Sequence, residues 1–174
     1  MVLNPSFEEI NVPITTCSGA SLNGNTVNNW STFFATFDLL HMHFPTTGCI
    51  WNPMAPLLDQ LPHTGNAYAG GALINGTSQN LYILESILGS LATPLIAGSK
   101  YKVSFYVVLS ESGQAGHNQF GFKFFDAVPS TPTYQDIQTI VPDIIYMGSP
   151  IVDKTNWTKI EMEFTPTQNG LQYF

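Results

Sequence analysis

Between Tyr101 and Ser110 the chain alternates in steps of two. Tyr101, Val103, Phe105, Val107 and Leu109 share one face, while Lys102, Ser104, Tyr106, Val108 and Ser110 share the other. Side chains of a strand point to opposite sides in turn, so this pattern predicts a β-strand over residues 100–110, packed on one face. A turn at Gly98 delivers the chain into it. Residues 157–164 repeat the pattern, with Ile160, Met162 and Phe164 inward and Lys159, Glu161 and Glu163 outward. Residues 119–125 place Phe120, Phe122 and Phe124 on one face. Residues 66–73 read as a small-residue strand, 30–43 as aromatic and extended, and 2–8 as a short first strand.

Residues 81–91 fit two templates. Leu81, Leu84, Leu88 and Leu91 recur at helical spacing, yet Tyr82, Ile83, Leu84 and Ile87 suit a strand, and the pattern alone leaves both open. Between these elements, 11–29 is a polar loop with turn points at Ser18-Gly19 and Asn23-Gly24-Asn25. Residues 45–62 are a long surface excursion carrying Trp51, and 126–143 a Pro-rich loop. No internal repeat or linker divides the chain. Many short strands separated by turns predict one all-β domain over residues 1–174, an antiparallel two-sheet sandwich or jelly roll. Trp30, Phe105, Phe120, Phe122 and Trp157 are read as its core.

Composition agrees. Charged residues make up 10% and aromatics 13% of a 174-residue chain, enough apolar material to bury a core and too much to leave in water. The net charge of −7 is carried with five Lys and no Arg. Arg is the preferred fork for phosphate and guanine, so its absence from an acidic chain argues against nucleic acid as a partner. No stretch has the length of a membrane-spanning helix, and membrane insertion is not expected. The residues after Met1 read as turn and strand rather than as a basic and apolar leader. Cys17 and Cys49 lie in polar, turn-rich surroundings. A disulfide between them would staple the N-terminal excursion and suit an oxidising compartment; two buried thiols are the rival reading.

Little in the sequence points to bond-breaking chemistry. Glu161 and Glu163 sit on a solvated face beside Lys159 and read as surface charge. Glu8-Glu9 points both ways, and no nucleophile elbow or phosphate-binding Gly loop is present. An enzyme is not expected. His41-Met42-His43 would set both imidazoles on one strand face, near Asp38 and Asp59 in sequence, a pattern more often plain polar than metal-binding. Aromatic residues carry the binding reading. The C–H face of a sugar lies on an aromatic ring while polar side chains meet its hydroxyls. Tyr106 lies opposite Phe105, and Tyr82, Trp51 and Phe125 are read as exposed, which makes these four the candidate ligand residues.

Five short motifs then fall in a familiar order: Asn4-Pro5-Ser6-Phe7-Glu8, Asn29-Trp30, His63-Thr64-Gly65-Asn66-Ala67-Tyr68-Ala69-Gly70, the 94–107 run, and Trp157-Thr158-Lys159-Ile160. In this order they resemble carbohydrate-binding modules of the family 4/9/22 type, with a galactose-binding-like jelly roll. The nearest likeness is to the version found in surface proteins of gliding bacteria exported by a type IX route. The resemblance implies that 81–88 is a strand. It implies an extracellular or cell-surface module that binds glycan or mediates attachment. It also implies a structural Ca²⁺ held by the Ser6 carbonyl, the Glu8 carboxylate and a carbonyl near Asn66, completed by an Asp of a final strand. The chain ends at Gln172-Tyr173-Phe174 without such an Asp. The implied domain therefore lacks the family's last strand, and an open sheet edge is expected there, available to a protein partner. The alternative function is a structural or partner-binding subunit of a surface assembly with no sugar ligand.

Overall fold

The computed structural model describes residues 1–11, 13, 22, 26–54, 60–75 and 82–174. Within them the chain is all β except for one short helix. The strands are β1 (Trp30–Phe34), β2 (Asp38–His41), β3 (Ala67–Gly70), β4 (Leu73–Asn75), β5 (Tyr82–Leu84), β6 (Ser86–Gly89), β7 (Tyr101–Val107) and β8 (Phe120–Phe122), followed by helix α1 (Tyr134–Thr139), β9 (Ile144–Tyr146) and β10 (Thr158–Phe164). Every pairing is antiparallel: β1 with β6, β2 with β3, β4 with β5, β8 with β9, and β7 with β10. The sheets pack against one another as an all-β sandwich, the class the alternating pattern predicts.

The strongest sequence signals become the most regular pair. Along β7 and β10 the register runs from Thr158 opposite Val107 to Phe164 opposite Tyr101. Ile160 is 2% exposed, whereas Lys102, Ser104, Lys159, Glu161 and Glu163 face solvent. Glu161 bonds Lys102 at 3.2 Å and Lys159 at 3.3 Å, and Glu163 bonds Lys100 at 3.0 Å. Exposed pairs of this kind contribute little to stability. They are the surface charge that the sequence indicates.

Two hydrophobic clusters fill the space between the sheets. One joins Leu22, Val27, Trp30, Leu39, Phe44, Cys49 and Ala67; the other joins Leu91, Leu95, Phe124 and Leu171 under β7 and β10. Phe174 packs against both. It meets Trp30 edge-on at 5.6 Å, which Gly89 permits: a Cβ there would lie 2.6 Å from the Phe174 ring and 2.7 Å from Trp30. The C-terminal segment is paired on both sides. Phe174 exchanges backbone bonds with Gly89 at 2.8 and 3.1 Å, Leu91 donates to Gln172 at 2.8 Å, and Tyr173 exchanges bonds with Phe125 at 2.8 and 3.0 Å. So at residues 172–174, where an edge is expected from the resemblance, the backbone lies between two neighbours.

Three expectations change and one open reading is decided. The strand expected over 2–8 shrinks to a bridge between Val2 and Leu91, because Asn4 turns the chain. Asn4 and Phe7 take positive φ (46° and 61°). The buried Asn4 amide donates to Glu9 O (3.1 Å) and Asn28 O (2.9 Å), its oxygen accepts from Glu9 N (3.0 Å), and its carbonyl accepts from the Trp30 indole (2.8 Å). The ambiguous 81–91 segment is extended wherever it is described, with β5 and β6 broken at Glu85. That carboxylate accepts from Ala72 N at 2.5 Å and Thr36 Oγ1 at 3.1 Å. The Pro-rich 126–143 loop holds α1, started by a Thr133–Asp136 capping box. Trp157, expected in the core, is half-buried on the outer side. It precedes Thr158, so it shares parity with Lys159, Glu161 and Glu163.

Candidate functional site

The outer face of β7 and β10 carries aromatic side chains among its charges. Tyr106, opposite Lys159, is 41% exposed. The His63 ring stacks on it with centroids 3.7 Å apart and planes 18° from parallel. Trp157 meets His63 edge-on at 6.3 Å and Tyr68 edge-on at 5.5 Å. Each of these rings has a reason to be where it is. Strand parity turns Tyr106 and Trp157 outward. Tyr68 leaves β3 on the side opposite its core neighbours Ala67 and Ala69. His63 arrives on the segment that leads into β3.

Two polar handles fix that segment to the sheet. The Trp157 indole donates to Leu61 O at 2.9 Å, and the Tyr68 hydroxyl donates to Gln60 O at 2.9 Å. Burial pushes the Tyr68 hydroxyl well above the ordinary tyrosine range, so it remains a protonated donor. The result is a strip of tilted rings held in place before any ligand arrives, bordered by Lys159, Ser104 and Glu161.

Of the four sequence-predicted ligand residues, Tyr106, Trp51 and Phe125 lie in different surroundings. Tyr106 lies on the strip. Trp51 is half-buried against the N-terminal cluster, its carbonyl accepting from His41 N at 3.2 Å and its side chain hydrogen-bonded to Asp38. Phe125 is half-buried 5.7 Å from Phe33, in the sheet that holds Tyr173. Tyr82 lies in β5, and its side chain is outside the described residues. His63, Trp157 and Tyr68 were not singled out as ligand residues by sequence. For Trp157 the signal was present, since the alternation that turns Lys159 outward turns Trp157 outward too. For His63 there was none, because nothing local says which strand a loop residue will rest on.

Of the residues implied as metal ligands, Ser6 is exposed. Glu8 Oε1 accepts from Asn66 N at 2.6 Å and Ala67 N at 3.0 Å, and Oε2 stands 3.9 Å from His41 Nε2. Gly65, at φ 68°, makes room for the carboxylate: a Cβ there would sit 2.4 Å from Oε1. Groups facing Glu8 are thus N–H donors and an imidazole, the surroundings of a carboxylate clamped by amides.

His41 is 3% exposed and His43 is exposed, their rings 5.1 Å apart. His41 Nδ1 accepts from His43 N at 3.1 Å, which assigns the proton of the neutral ring to Nε2, toward Glu8. Burial holds the His41 pKa below its ordinary value, with Glu8 opposing and His43 adding to the shift. No cluster of three or more His, Cys, Asp or Glu side chains among the described residues is placed to hold a metal ion. Cys49 is buried and is not a free thiol, while Cys17 lies outside the described residues.

Comparison with family models, with curated proteins and with solved structures returned no match to this chain.

Proposed function

We propose that this protein is a non-catalytic jelly-roll recognition module, exposed outside the cell, that binds glycan on the strip formed by Tyr106, His63 and Trp157. The observation that carries the reading is the exposed Tyr106 ring, fixed by its parallel stack on His63 beside an outward Trp157. A sugar's C–H face lies on such a ring, and the flanking Lys159, Ser104 and Glu161 side chains meet its hydroxyls. Little ordering is left for the ligand to impose, because the indole and tyrosine handles already hold the rings. The carboxylates on this face, Glu161 and Glu163, each pair with lysine on one surface rather than opposing each other across a cleft, which favours recognition over hydrolysis. A buried Cys49 that is not a free thiol agrees with an oxidising compartment. The five-motif resemblance points the same way.

A glycan array followed by calorimetry tests this. The wild-type chain is expected to retain at least one neutral glycan, and Tyr106→Ala to weaken it about tenfold while the melting curve is unchanged. Retention of no glycan, or equal affinity in the variant, removes the strip as the site. A second reading, a protein-partner surface, is favoured by β9. Among the described residues it pairs only with β8, and Val141, Ile145 and Met147 around it are 74%, 44% and 68% exposed. Light scattering separates the two: a stable monomer with no co-purifying chain counts against the partner reading.

A further inference from the structure

Where β10 ends and the chain turns back through 165–171 there is a cavity of about 480 Å³. It lies within the roughly 300–1,000 Å³ range of small-molecule sites. Phe164 and Phe124, stacked at 4.7 Å and 8° from parallel, give it an apolar wall. Its charges are already matched. Lys123 bonds Asp143 at 2.9 Å, the other Asp143 oxygen accepts from Phe124 N at 2.8 Å, and Glu163 is paired with Lys100 at 3.0 Å. What remains uncommitted among the described residues is neutral and hydrogen-bonding: the hydroxyls of Thr165 and Thr167 and the amide of Gln168, which also line the space.

Each class of ligand can be weighed against that lining. An anion would find each lysine already paired with a carboxylate and would have to displace that partner. An ammonium group would find both carboxylates already neutralised by lysine, and would have to displace an existing ion pair. A purely apolar ligand would strip water from the hydroxyls and the amide without replacing those bonds. A neutral polyhydroxylated ring satisfies them and sets its C–H face against phenylalanine.

We propose that this cavity is a second binding site, separate from the strip, and that it takes a single neutral sugar residue. The difference in shape assigns the part of the ligand. A flat strip accepts residues in the interior of a chain, whereas a concave, partly open site at the end of a sandwich holds one residue, either free or at a chain terminus. The site shares a ligand class with the proposed strip but no residue, so either can stand without the other.

The full-length ¹⁵N-labelled protein, titrated with methyl glycosides of glucose, galactose, mannose and N-acetylglucosamine, tests the assignment. Saturable amide shifts are expected at Thr165, Thr167, Gln168 and Lys123 with at least one of them, with affinity on the order of millimolar. Gln168→Ala, an exposed position, is expected to weaken that binding about fivefold, and Tyr106→Ala to leave it unchanged. Shifts confined to His63, Tyr106 and Trp157 would overturn the cavity and leave the strip. Saturable shifts at neither place overturn both. Tighter binding of glucuronic acid or glucosamine than of the neutral sugars would overturn the assigned ligand class.

Discussion

The core around Leu91, Leu95, Phe124 and Leu171 and the core around Leu22, Trp30 and Leu39 lie in one sandwich but are specified differently. The first is roofed by β7 and β10, whose strict alternation puts apolar side chains in and charges out; its polar groups are on the surface. The second is walled by the short strands β1, β2 and β3, and the irregular segments joining them are held by buried polar hubs. Asn4 ties the 4–9 turn to Asn28, and the amide of Asn52, which is fully buried, donates to Met42 O at 3.2 Å and to Phe44 O while its oxygen accepts from Met54 N at 2.7 Å. Glu8 clamps the 65–67 segment in the same way. Pattern specifies regular strands. Satisfied buried polar groups specify the loops that pattern leaves undetermined.

The strongest test of this contrast acts where the two cores join. Phe174 packs into both, so Phe174→Ala is expected to destabilise the fold by about 3 kcal/mol, read from chemical denaturation. A loss under about 1 kcal/mol would show that the clusters do not share this residue energetically.

Next in size comes the polar hub. Asn4→Ala leaves Glu9 N and Asn28 O without their partner, while Glu9 O keeps only Asn28 N, at about 2 kcal/mol. Glu161→Gln, on the solvent side of the regular core, is expected to leave the melting midpoint where it is. Equal effects of the two changes would erase the distinction between the cores.

A smaller effect than that of the polar hub is expected from acidity. His41 is held neutral by burial, so the unfolded chain takes up its proton near pH 6.5 and the folded chain only at lower pH. Protonation therefore pulls toward the unfolded state. Stability from this group is complete above about pH 6.5 and declines as the pH falls below it. Asp38, raised chiefly by burial, works in the opposite sense further into the acid range. His41→Gln is expected to flatten the melting midpoint between pH 7.5 and 5.5, and a chelator to leave it unchanged. A midpoint that falls as steeply in the variant would assign the acid sensitivity elsewhere.

Much of the regular half was legible beforehand. The faces of β7 and β10 and the shared face of Phe120, Phe122 and Phe124 follow from a period of two, which needs no knowledge of neighbours. The first segment reads as a strand because Val2, Leu3 and Phe7 look apolar and extended, while the bonds that turn it run from Asn4 to residues 5 and 24 positions away. Of the strip, Tyr106 could be found by parity, and Trp157 could have been. The cavity could not, because Lys123, Asp143, Thr165 and Gln168 are brought together only by the return of the chain after β10.

By itself, then, the sequence determined the class of fold, the inward and outward sets on its longest strands, and an acidic composition without arginine. Alternation, propensity and charge are local or additive properties, and they survive without coordinates. The tertiary structure decided that residues 172–174 lie between two strands, that Glu8 faces amide protons, and that His63 rests on Tyr106. Each of these depends on distances between segments remote along the chain, which only the packed fold brings to a few ångströms.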